Sequence, residues 1–401
     1  MLFQVGINGV AGMNENVKEK KVAIIGSGVL ALHLSKIAYR LGIESHCFSN
    51  DTDSVVKGKC TKHHLIDIFD TKKIIAICKQ LNVSGVIATT ELTVGIASYV
   101  ANSLGLVGIP LEVAKDVTNK YYVRSKVNDN SVVLQPRFKE IENRHDNSIY
   151  PLAFPVIVKP TSLGGKRGVL VARNQKEYED AITYAYDSIP KGRCKIMIEE
   201  YIEGGKEFSV ESLSYKGEHK VIQITEKVTS FPPHIVELGH LQPARISENM
   251  KHRIYNAIPQ LLAQVGIDNT ATHTEIKIVN DNIYLIEVNS RPGGDNIAAS
   301  LVELSTGYSY LEGVIKIAIG EFEFPDYATF NKHTSGILFY TKQTSFLKKA
   351  FDECMNYDWC VEKQKASDEL KEIENNNSWG TNYILFKSTN GVPVELEEFY
   401  A

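Results

Sequence analysis

The sequence of 401 residues has little that would suit a membrane or a nucleic acid. No segment reaches about 18 uninterrupted apolar residues, and Met1 to Lys20 lacks the basic start and long apolar run of a secretory signal. The net charge is -4 and the pI is near 6.3, so no basic field favours nucleic acid or an anionic membrane. These absences favour small-molecule substrates and predict a cytoplasmic, non-membrane protein without a nucleic-acid partner.

Cysteine is also scarce. The six cysteines contain no CxxC pair, and we interpret them as reduced thiols. Hydrophobic residues make up 43% of the chain and charged residues 23%, which is the balance of a globular enzyme. The length exceeds that of one ordinary core, so we expect two to four packed units, on the order of the usual domain size.

The first part of the chain alternates strands with helices. Lys21–Gly26 is an apolar run that ends at glycine, and Val29–Leu41 then repeats apolar residues at helical spacing. Similar alternation continues to Leu104, which predicts a parallel, doubly wound sheet. From Lys120 onward the pattern becomes mixed α+β, with hairpin-like alternation over Val156–Val171.

Later segments predict further strands and a small final unit. Asn280-Asp281 is predicted to be a tight hairpin turn between the last two of these strands. Beyond Gly320 the pattern favours a small α+β unit. The predicted strands are Lys195–Glu200, Glu207–Tyr215, Lys220–Val228, His273–Val279 and Asn282–Val288.

The turn Gly26-Ser27-Gly28-Val29-Leu30-Ala31 has the GxGxxA pattern, and Asp51 follows the second strand. This arrangement is typical of a dinucleotide site. The alternative is that the glycines only allow close packing of strand and helix. We favour the packing interpretation, because the residues that follow indicate a different nucleotide site.

A second glycine-rich segment follows an apolar strand that ends in Lys159. The loop Thr161–Gly168 contains Ser162, Gly164, Gly165 and Lys166. Backbone N–H groups and a fixed ammonium suit polyphosphate, although no GxxxxGK[ST] motif is present. The alternative is an exposed hairpin with ordinary surface cations.

The apolar strand at Ile196–Glu200 runs into a glycine-containing linker. The strand end, with Glu199, Glu200, Tyr201 and Ile202, is able to present backbone groups to an adenine edge. Glu207, just beyond the linker, is a candidate acceptor for ribose hydroxyls. Taken singly, each glutamate is also compatible with a solvated surface charge.

Glu287 and Asn289 lie two residues apart, so they face the same side of a predicted strand, and the hairpin brings Glu275 alongside them. Three oxygen donors without sulfur or nitrogen favour Mg²⁺ shared with nucleotide phosphates. Arg291 adds a fork for an anion, and the Gly293-Gly294 amides are candidates to receive a substrate carboxylate.

The order of these pieces over Lys21 to Gly320 resembles the ATP-grasp superfamily. The resemblance implies a nucleotide between two mixed sheets, Lys120 and Lys159 on its phosphates, and Mg²⁺, with Mn²⁺ as the alternative, on the three oxygen donors. It also implies an α/β and α+β multidomain fold. The expected units are a Rossmann-like domain at 1–118, a small ATP-grasp subdomain with a glycine-rich lid at 119–194, a nucleotide, metal and substrate subdomain at 195–320, and a C-terminal α+β subdomain at 321–401.

Within the superfamily, Glu237–Pro243 and His273–Lys277 resemble the L-amino-acid ligases that form dipeptides, of the alanine–anticapsin ligase type. The resemblance implies that Glu237 and His240 line an amino-acid pocket and that Arg291 contacts a phosphorylated intermediate. The stretch Arg291–Asp295 departs from that pattern, so the resemblance does not predict which amino-acid side chains the substrates carry.

The expected activity is therefore ATP-dependent formation of a peptide bond between two L-amino acids through an acyl phosphate, with ADP and phosphate released. The expected catalytic residues are Arg291 and Lys159, and a homodimer is expected. Alternatives are an ATP-grasp carboxylase or a formyl- or amide-forming ligase of purine type, an NAD-dependent oxidoreductase, and a non-catalytic nucleotide sensor.

Overall fold

A computed structural model describes residues 20–127, 132–141, 149, 151–190, 195–230, 235–373 and 382–400. In these residues no helix combines the length and the apolar character that a membrane span requires.

The chain begins with a four-stranded parallel sheet in the order β3-β2-β1-β4. Residues of β1 are almost wholly buried, as expected for a parallel strand covered on both faces. This unit has the predicted Rossmann-like alternation. Its elements are β1 (Lys21–Ile25), α1 (Val29–Arg40), β2 (Glu44–Ser49), β3 (Lys62–Leu65), α2 (Thr71–Leu81), β4 (Gly85–Ala88) and α3 (Glu91–Ser103).

Two short helices, α4 (Leu111–Ala114) and α5 (Lys120–Lys126), lead into a second four-stranded sheet in the order β6-β9-β7-β8. The helix α6 packs on this sheet through Tyr178 and Ile182. The strand Ile196–Glu200, expected to open the next unit, lies inside this sheet between β6 and β7, so the smaller lobe extends beyond residue 194. The elements are β5 (Val133–Leu134), β6 (Phe138–Ile141), β7 (Val156–Pro160), β8 (Leu170–Ala172), α6 (Gln175–Ser188) and β9 (Ile196–Glu200).

A nine-stranded sheet forms the larger lobe, in the order β16-β17-β15-β12-β11-β10-β13-β14-β5. The hairpin turn between β13 and β14 is as predicted, since Asn280 and Asp281 both have positive φ. Its elements, apart from β5, are β10 (Lys206–Tyr215), β11 (Glu218–Thr229), β12 (Glu237–Gln242), α7 (Glu248–Val265), β13 (Thr270–Val279), β14 (Asn282–Asn289), α8 (Val302–Thr306), α9 (Tyr310–Ala318), β15 (Thr334–Tyr340), α10 (Lys348–Glu353), β16 (Cys360–Gln364), β17 (Asn382–Ser388) and α11 (Glu397–Tyr400).

The segment after Gly320 extends this same sheet. β15 pairs antiparallel with β12, for example Gly239 with Leu338, so the expected C-terminal unit shares its hydrogen bonds with the larger lobe. Tyr400 on α11 is fully buried, and its hydroxyl lies 3.0 Å from the carbonyl oxygen of His240. The last residues of the described chain therefore support the strand that carries Glu237 and His240.

The larger lobe packs on the N-terminal unit through one continuous apolar core. Val22 and Leu34 of the first sheet and helix share a buried cluster with Leu213, Tyr310 and Ile315. Burial at about 25 cal/mol per Å² of apolar surface favours a fixed arrangement of the two units. The central cavity described below lies where the three sheets meet.

Candidate active site

A cavity of about 850 Å³, here called the central cavity, is lined by residues from the N-terminal unit, the smaller lobe and the larger lobe. The N-terminal unit contributes Gly28 and Glu91, the smaller lobe contributes Lys159 and the glycine loop, and the larger lobe contributes Glu287. Ligand sites commonly lie at such junctions between domains.

Glu275 on β13 and Glu287 on β14 are opposite each other in the antiparallel register, and Asn289 stands opposite His273. All three predicted oxygen donors line the central cavity. With its amide nitrogen oriented as a donor, Asn289 lies 3.2 Å from the carboxylates of both Glu287 and Glu91. The donors that the sequence predicted for Mg²⁺ thus converge, and oxygen-only chemistry fits that ion.

Two lysines balance the negative charge of the paired carboxylates. Lys227 lies 3.0 Å from Glu275, and Lys120 lies 3.0 Å from Glu287. Burial opposes ionisation of Glu275, but Lys227 and then the hydrogen bond from His273 outweigh it and hold the pKa of this carboxyl well below its usual range. Glu275 is therefore ionised and ready to bind a cation.

His273 supports Glu275 from behind. Its Nδ1 lies 2.7 Å from the fully buried Glu211, and its Nε2 lies 3.3 Å from Glu275. Burial lowers the pKa of His273, but Glu211 more than compensates and raises it to about 9. Gly293 packs directly against this pair, because a Cβ atom there would lie 2.8 Å from Nδ1 of His273 and 2.9 Å from Glu211.

Lys159, expected to contact phosphates, is 5% exposed and lies 2.5 Å from Glu199. The other oxygen of Glu199 accepts a 2.7 Å hydrogen bond from Arg124. Burial, helped by Arg124 and offset in part by Glu199, lowers the pKa of Lys159. Lys120 also donates to the carbonyl oxygen of Leu163 at 2.9 Å, which ties this lysine to the glycine loop.

The glycine loop connects β7 to β8 along the cavity wall. Ser162, Gly164, Gly165 and Lys166 all line the cavity. A Cβ atom at Gly164 would lie 3.1 Å from Glu91 of the N-terminal unit, so this part of the loop touches the opposite wall. Lys166 lies 3.5 Å from Glu207, the predicted ribose acceptor, which also lines the cavity.

The expected adenine segment is placed differently from the other predicted residues. None of Glu199–Ile202 lines the central cavity, although Glu207 does. The Glu199 side chain is engaged with Arg124 and Lys159, and the Ile202 carbonyl accepts a 2.7 Å hydrogen bond from Lys277. The Glu200 carboxylate lies 3.3 Å from Nε of Arg137, and the Lys277 ammonium lies over the ring of Tyr201.

Two of the expected substrate residues, Glu237 and His240, lie close to the paired carboxylates, because Lys227 contacts both Glu237 and Glu275. Glu237 lies 2.7 Å from Lys227 and 3.3 Å from His240, and one donor atom each from Glu237, His240 and Asp295 lies within 4.8 Å of the others. Burial opposes protonation of His240, but Asp295 and Glu237 outweigh it and raise the pKa of its imidazole. His240 itself is fully buried and does not line the cavity, but it contacts Glu237 and Asp295, which do.

Arg291 forms an ion pair with Glu91 at the start of α3, so the end of β14 is joined to the N-terminal unit. Its Nη1 donates to the Pro292 carbonyl at 2.8 Å, while its Nε has no hydrogen-bond partner among the described residues. Both Arg291 and Gly294 line the cavity. The guanidinium thus lies at the cavity wall, held by Glu91 and by the Pro292 carbonyl.

The N-terminal glycine turn opens toward the same cavity. A Cβ atom at Gly26 would lie 2.1 Å from Oγ1 of Thr89, and the φ of Gly26 is +123°, so this glycine is required for packing of β1 against β4. Gly28 lines the cavity, and a Cβ atom at this position would meet nothing within 4 Å. Asp51, the residue that a dinucleotide site would use, is exposed and outside the cavity lining.

Three site residues lie outside the motifs identified in the sequence: Glu91, Arg124 and Lys227. Two had a usable signal. Glu91 follows the carboxyl end of a parallel strand, where α/β sheets commonly bind ligands. Lys227 shares the polar face of β11 with Gln223 and Thr225.

The chain is similar in sequence and in fold to known proteins. Residues 152–300 match the family described as ATP-grasp domain. The alanine–anticapsin ligase of Bacillus subtilis (strain 168) is 24% identical over 257 residues, which are 57% of this chain and 53% of that protein. A D-alanine–D-alanine ligase of Flavobacterium psychrophilum is 27% identical over 305 residues, 71% of this chain and 88% of that protein. The chain thus spans about half the length of the alanine–anticapsin ligases that it matches.

Solved structures show the same fold. The crystal structure of an L-amino acid ligase from Bacillus licheniformis has a TM-score of 0.80 at 22% identity and covers 96% of this chain and 97% of its own. An ADP complex of N5-carboxyaminoimidazole ribonucleotide synthetase has a TM-score of 0.74 at 16% identity, with 96% of each chain covered. Residues 152–300 therefore match an ATP-grasp domain, and the chain has the ATP-grasp fold and resembles the L-amino-acid ligases.

Proposed function

We propose that this chain is an ATP-dependent carboxylate–amine ligase that joins two L-amino acids through an acyl phosphate and releases ADP and phosphate. The single observation that carries the proposal is the composition of the central cavity. Paired carboxylates, phosphate-type cations and the acidic residues Glu237 and Asp295, which contact a buried histidine, lie around one cavity.

The nucleotide end is supported by charge. Glu275, Glu287 and Asn289 would hold Mg²⁺, with Mn²⁺ as the alternative, and the ion would supply neutralisation of phosphate charge. Lys120 and Lys159 are each fixed by a carboxylate, so their ammonium groups need little reordering to meet polyphosphate. Glu207 is the nearest candidate for the ribose, while the segment Glu199–Ile202 would need to act through its backbone.

A carboxylate is a poor acyl donor near neutral pH, because its leaving group would be oxide. Phosphorylation removes this obstacle, and catalysis of phosphoryl transfer is chiefly positioning plus charge stabilisation. Arg291 supports this role because it stands just beyond the metal-type donors and lines the cavity. The amides at Gly293 and Gly294 are the proposed partners of a substrate carboxylate.

The substrate end supports amino acids as substrates. Glu237 is ionised, because Lys227, His240 and Lys166 together overcome the effect of burial and hold its pKa well below its usual range. A carboxylate in this state is a natural partner for an ammonium group. The glycine loop reaches the N-terminal wall at Glu91, a position from which it would keep water from an activated acyl group.

A carboxylase or purine-type ligase is the second candidate, and it is favoured by the likeness to N5-carboxyaminoimidazole ribonucleotide synthetase. Bicarbonate and formate carry no ammonium group that the ionised Glu237 would attract. An oxidoreductase is disfavoured because Asp51 is exposed and outside the cavity lining.

A phosphate-release screen over all pairs of the common amino acids, with ATP and Mg²⁺, tests the proposal. Release that needs both members of a pair, with the dipeptide detected by mass spectrometry, is the expected result. Release that needs bicarbonate or formate instead would support the second candidate. The homodimer stays a proposal, and sedimentation of the chain at several concentrations tests it.

A further inference from the structure

The short helix α5 carries two cations on one face, four residues apart. Lys120 at its start contacts Glu287 on β14 and the carbonyl of Leu163 in the glycine loop. Arg124, one turn later, contacts Glu199 in the smaller lobe and the carbonyl of Ile286 on β14, at 2.7 Å and 2.8 Å. The side chains of Lys120 and Arg124 therefore each bridge the two lobes.

Arg124 is 2% exposed, so its charge is strongly felt by its neighbours. Glu199, 3% exposed, sits between Arg124 on one oxygen and Lys159 on the other. Two positive groups share one negative group, and the three side chains together carry one net positive charge. Without Arg124, Glu199 would cancel the charge of Lys159, the lysine that lines the cavity.

Arg124 also sets geometry. Its fork makes one bond to Glu199 on β9 and one to the Ile286 carbonyl, next to Glu287. Lys159 is therefore fixed relative to the strand that bears the paired carboxylates. A lysine in place of Arg124 would keep the charge but lack the fork that makes both bonds at once.

We propose that Arg124 is a positioning residue for the nucleotide phosphates, which balances Glu199 so that the ammonium of Lys159 stays available to an anion. This inference rests on the proposed function only in that the cavity binds a nucleotide. Arg124 itself does not contact the ligand in this proposal, since it does not line the central cavity.

The test is binding of ADP with Mg²⁺ to the full chain, measured by calorimetry in four variants. Arg124→Met should weaken binding by about tenfold or more, the size expected for loss of one charge close to an anion. Arg124→Lys keeps the charge but lacks the fork, so binding should weaken by about threefold, less than in Arg124→Met. Arg253→Met is the matched control, because Arg253 also donates to a backbone carbonyl but lies outside the cavity lining.

The fourth variant separates charge from structure. Arg124→Met combined with Glu199→Gln removes one positive and one negative group, so the net positive charge at Lys159 returns. We expect ADP affinity to recover to within about threefold of the parent chain, even though urea unfolding shows lower stability than for the single variant. A merely structural role predicts instead that affinity falls further with stability.

The outcomes distinguish this inference from the proposed function. Equal ADP affinity in the parent chain and in Arg124→Met, or no recovery in the double variant, would overturn the role of Arg124 while the ligase proposal stands. Absence of ADP binding in the parent chain would overturn both. Normal ADP binding with the expected recovery, but no phosphate release with any pair of amino acids, would support the role of Arg124 and overturn the ligase.

Discussion

Glu275 and Glu287 face each other across the hairpin formed by β13 and β14, and each is held by a different buried lysine. Two carboxylates at this spacing repel unless cations stand between them. Lys227 and Lys120 supply that charge here, and a divalent ion would bind at the same place.

Glu287→Gln should remove turnover while the fold persists. The glutamine oxygen still accepts from Lys120, but one charge of the proposed metal site is lost, so the rate should fall by about 10²-fold or more at saturating Mg²⁺. Phosphate release during a Mg²⁺ titration measures the effect. Glu248→Gln, at a side chain with 90% exposure, is the control, and near-normal release by Glu287→Gln would refute the metal assignment.

Arg291→Lys should reduce the turnover rate by about 10²-fold, with a much smaller change in ATP affinity, because lysine keeps the charge but loses the fork. Single-turnover kinetics and ATP binding measure the two quantities separately. Arg245→Lys is the control, since Arg245 makes a two-pronged contact with Glu226 but lies outside the cavity lining. An ATP affinity that falls in step with the rate would make Arg291 a nucleotide anchor.

Gly26→Ala and Gly28→Ala should differ sharply. A Cβ atom at Gly26 collides with Thr89 at positive φ, so the free energy of unfolding should fall by about 2–4 kcal/mol. Gly28 has open space and only begins α1, so its loss should cost no more than about 1 kcal/mol. Urea unfolding measures both.

The same interpretation of the glycine turn predicts that NADH does not bind. A fluorescence titration of the parent chain should show no saturation. Micromolar binding that Gly28→Val abolishes without unfolding would instead establish a dinucleotide site in the first domain.

We expect the protein to lose stability at alkaline pH because His273 then loses its proton. Its folded pKa is raised to about 9, so its contribution is fully present below about pH 6.5 and is lost as pH rises through 9. We expect this contribution to be roughly 2–4 kcal/mol, because each unit by which folding raises the pKa corresponds to about 1.4 kcal/mol. Urea unfolding of the parent chain and of His273→Gln between pH 6.5 and 9.5 measures it.

The difference between those two chains should shrink as pH rises. His252→Gln, on an exposed face of α7, is the control and should follow the parent chain at every pH. A difference that is constant with pH would show that His273 contributes through packing and not through its charge.

Local patterns predicted most elements around the site. The apolar run at β1, the helical spacing of α1 and the turn at Asn280-Asp281 each depend on neighbours a few residues away, and the structure has all three. β3 carries Lys-His-His-Leu, which has no apolar alternation, so it is recognisable only by its pairing with β2.

The partners of the site residues could not be predicted in the same way. Arg291 and Glu91 are 200 positions apart, and Arg124 and Glu199 are 75 apart. Such contacts depend on how the sheets pack, which spacing within one segment does not specify. The pairing of β12 with β15, which joins the C-terminal segment to the larger lobe, is non-local for the same reason.

The central claim, an acyl-phosphate ligase, is tested most directly by the fate of one oxygen atom. The measurement uses an amino-acid pair that supports phosphate release, with oxygen-18 in the carboxylate of the acid substrate and mass spectrometry of the products. Transfer of γ-phosphate to that carboxylate, followed by attack of the amine, must leave one labelled oxygen in the released phosphate together with ADP. Unlabelled phosphate, or label recovered in AMP, would contradict the account.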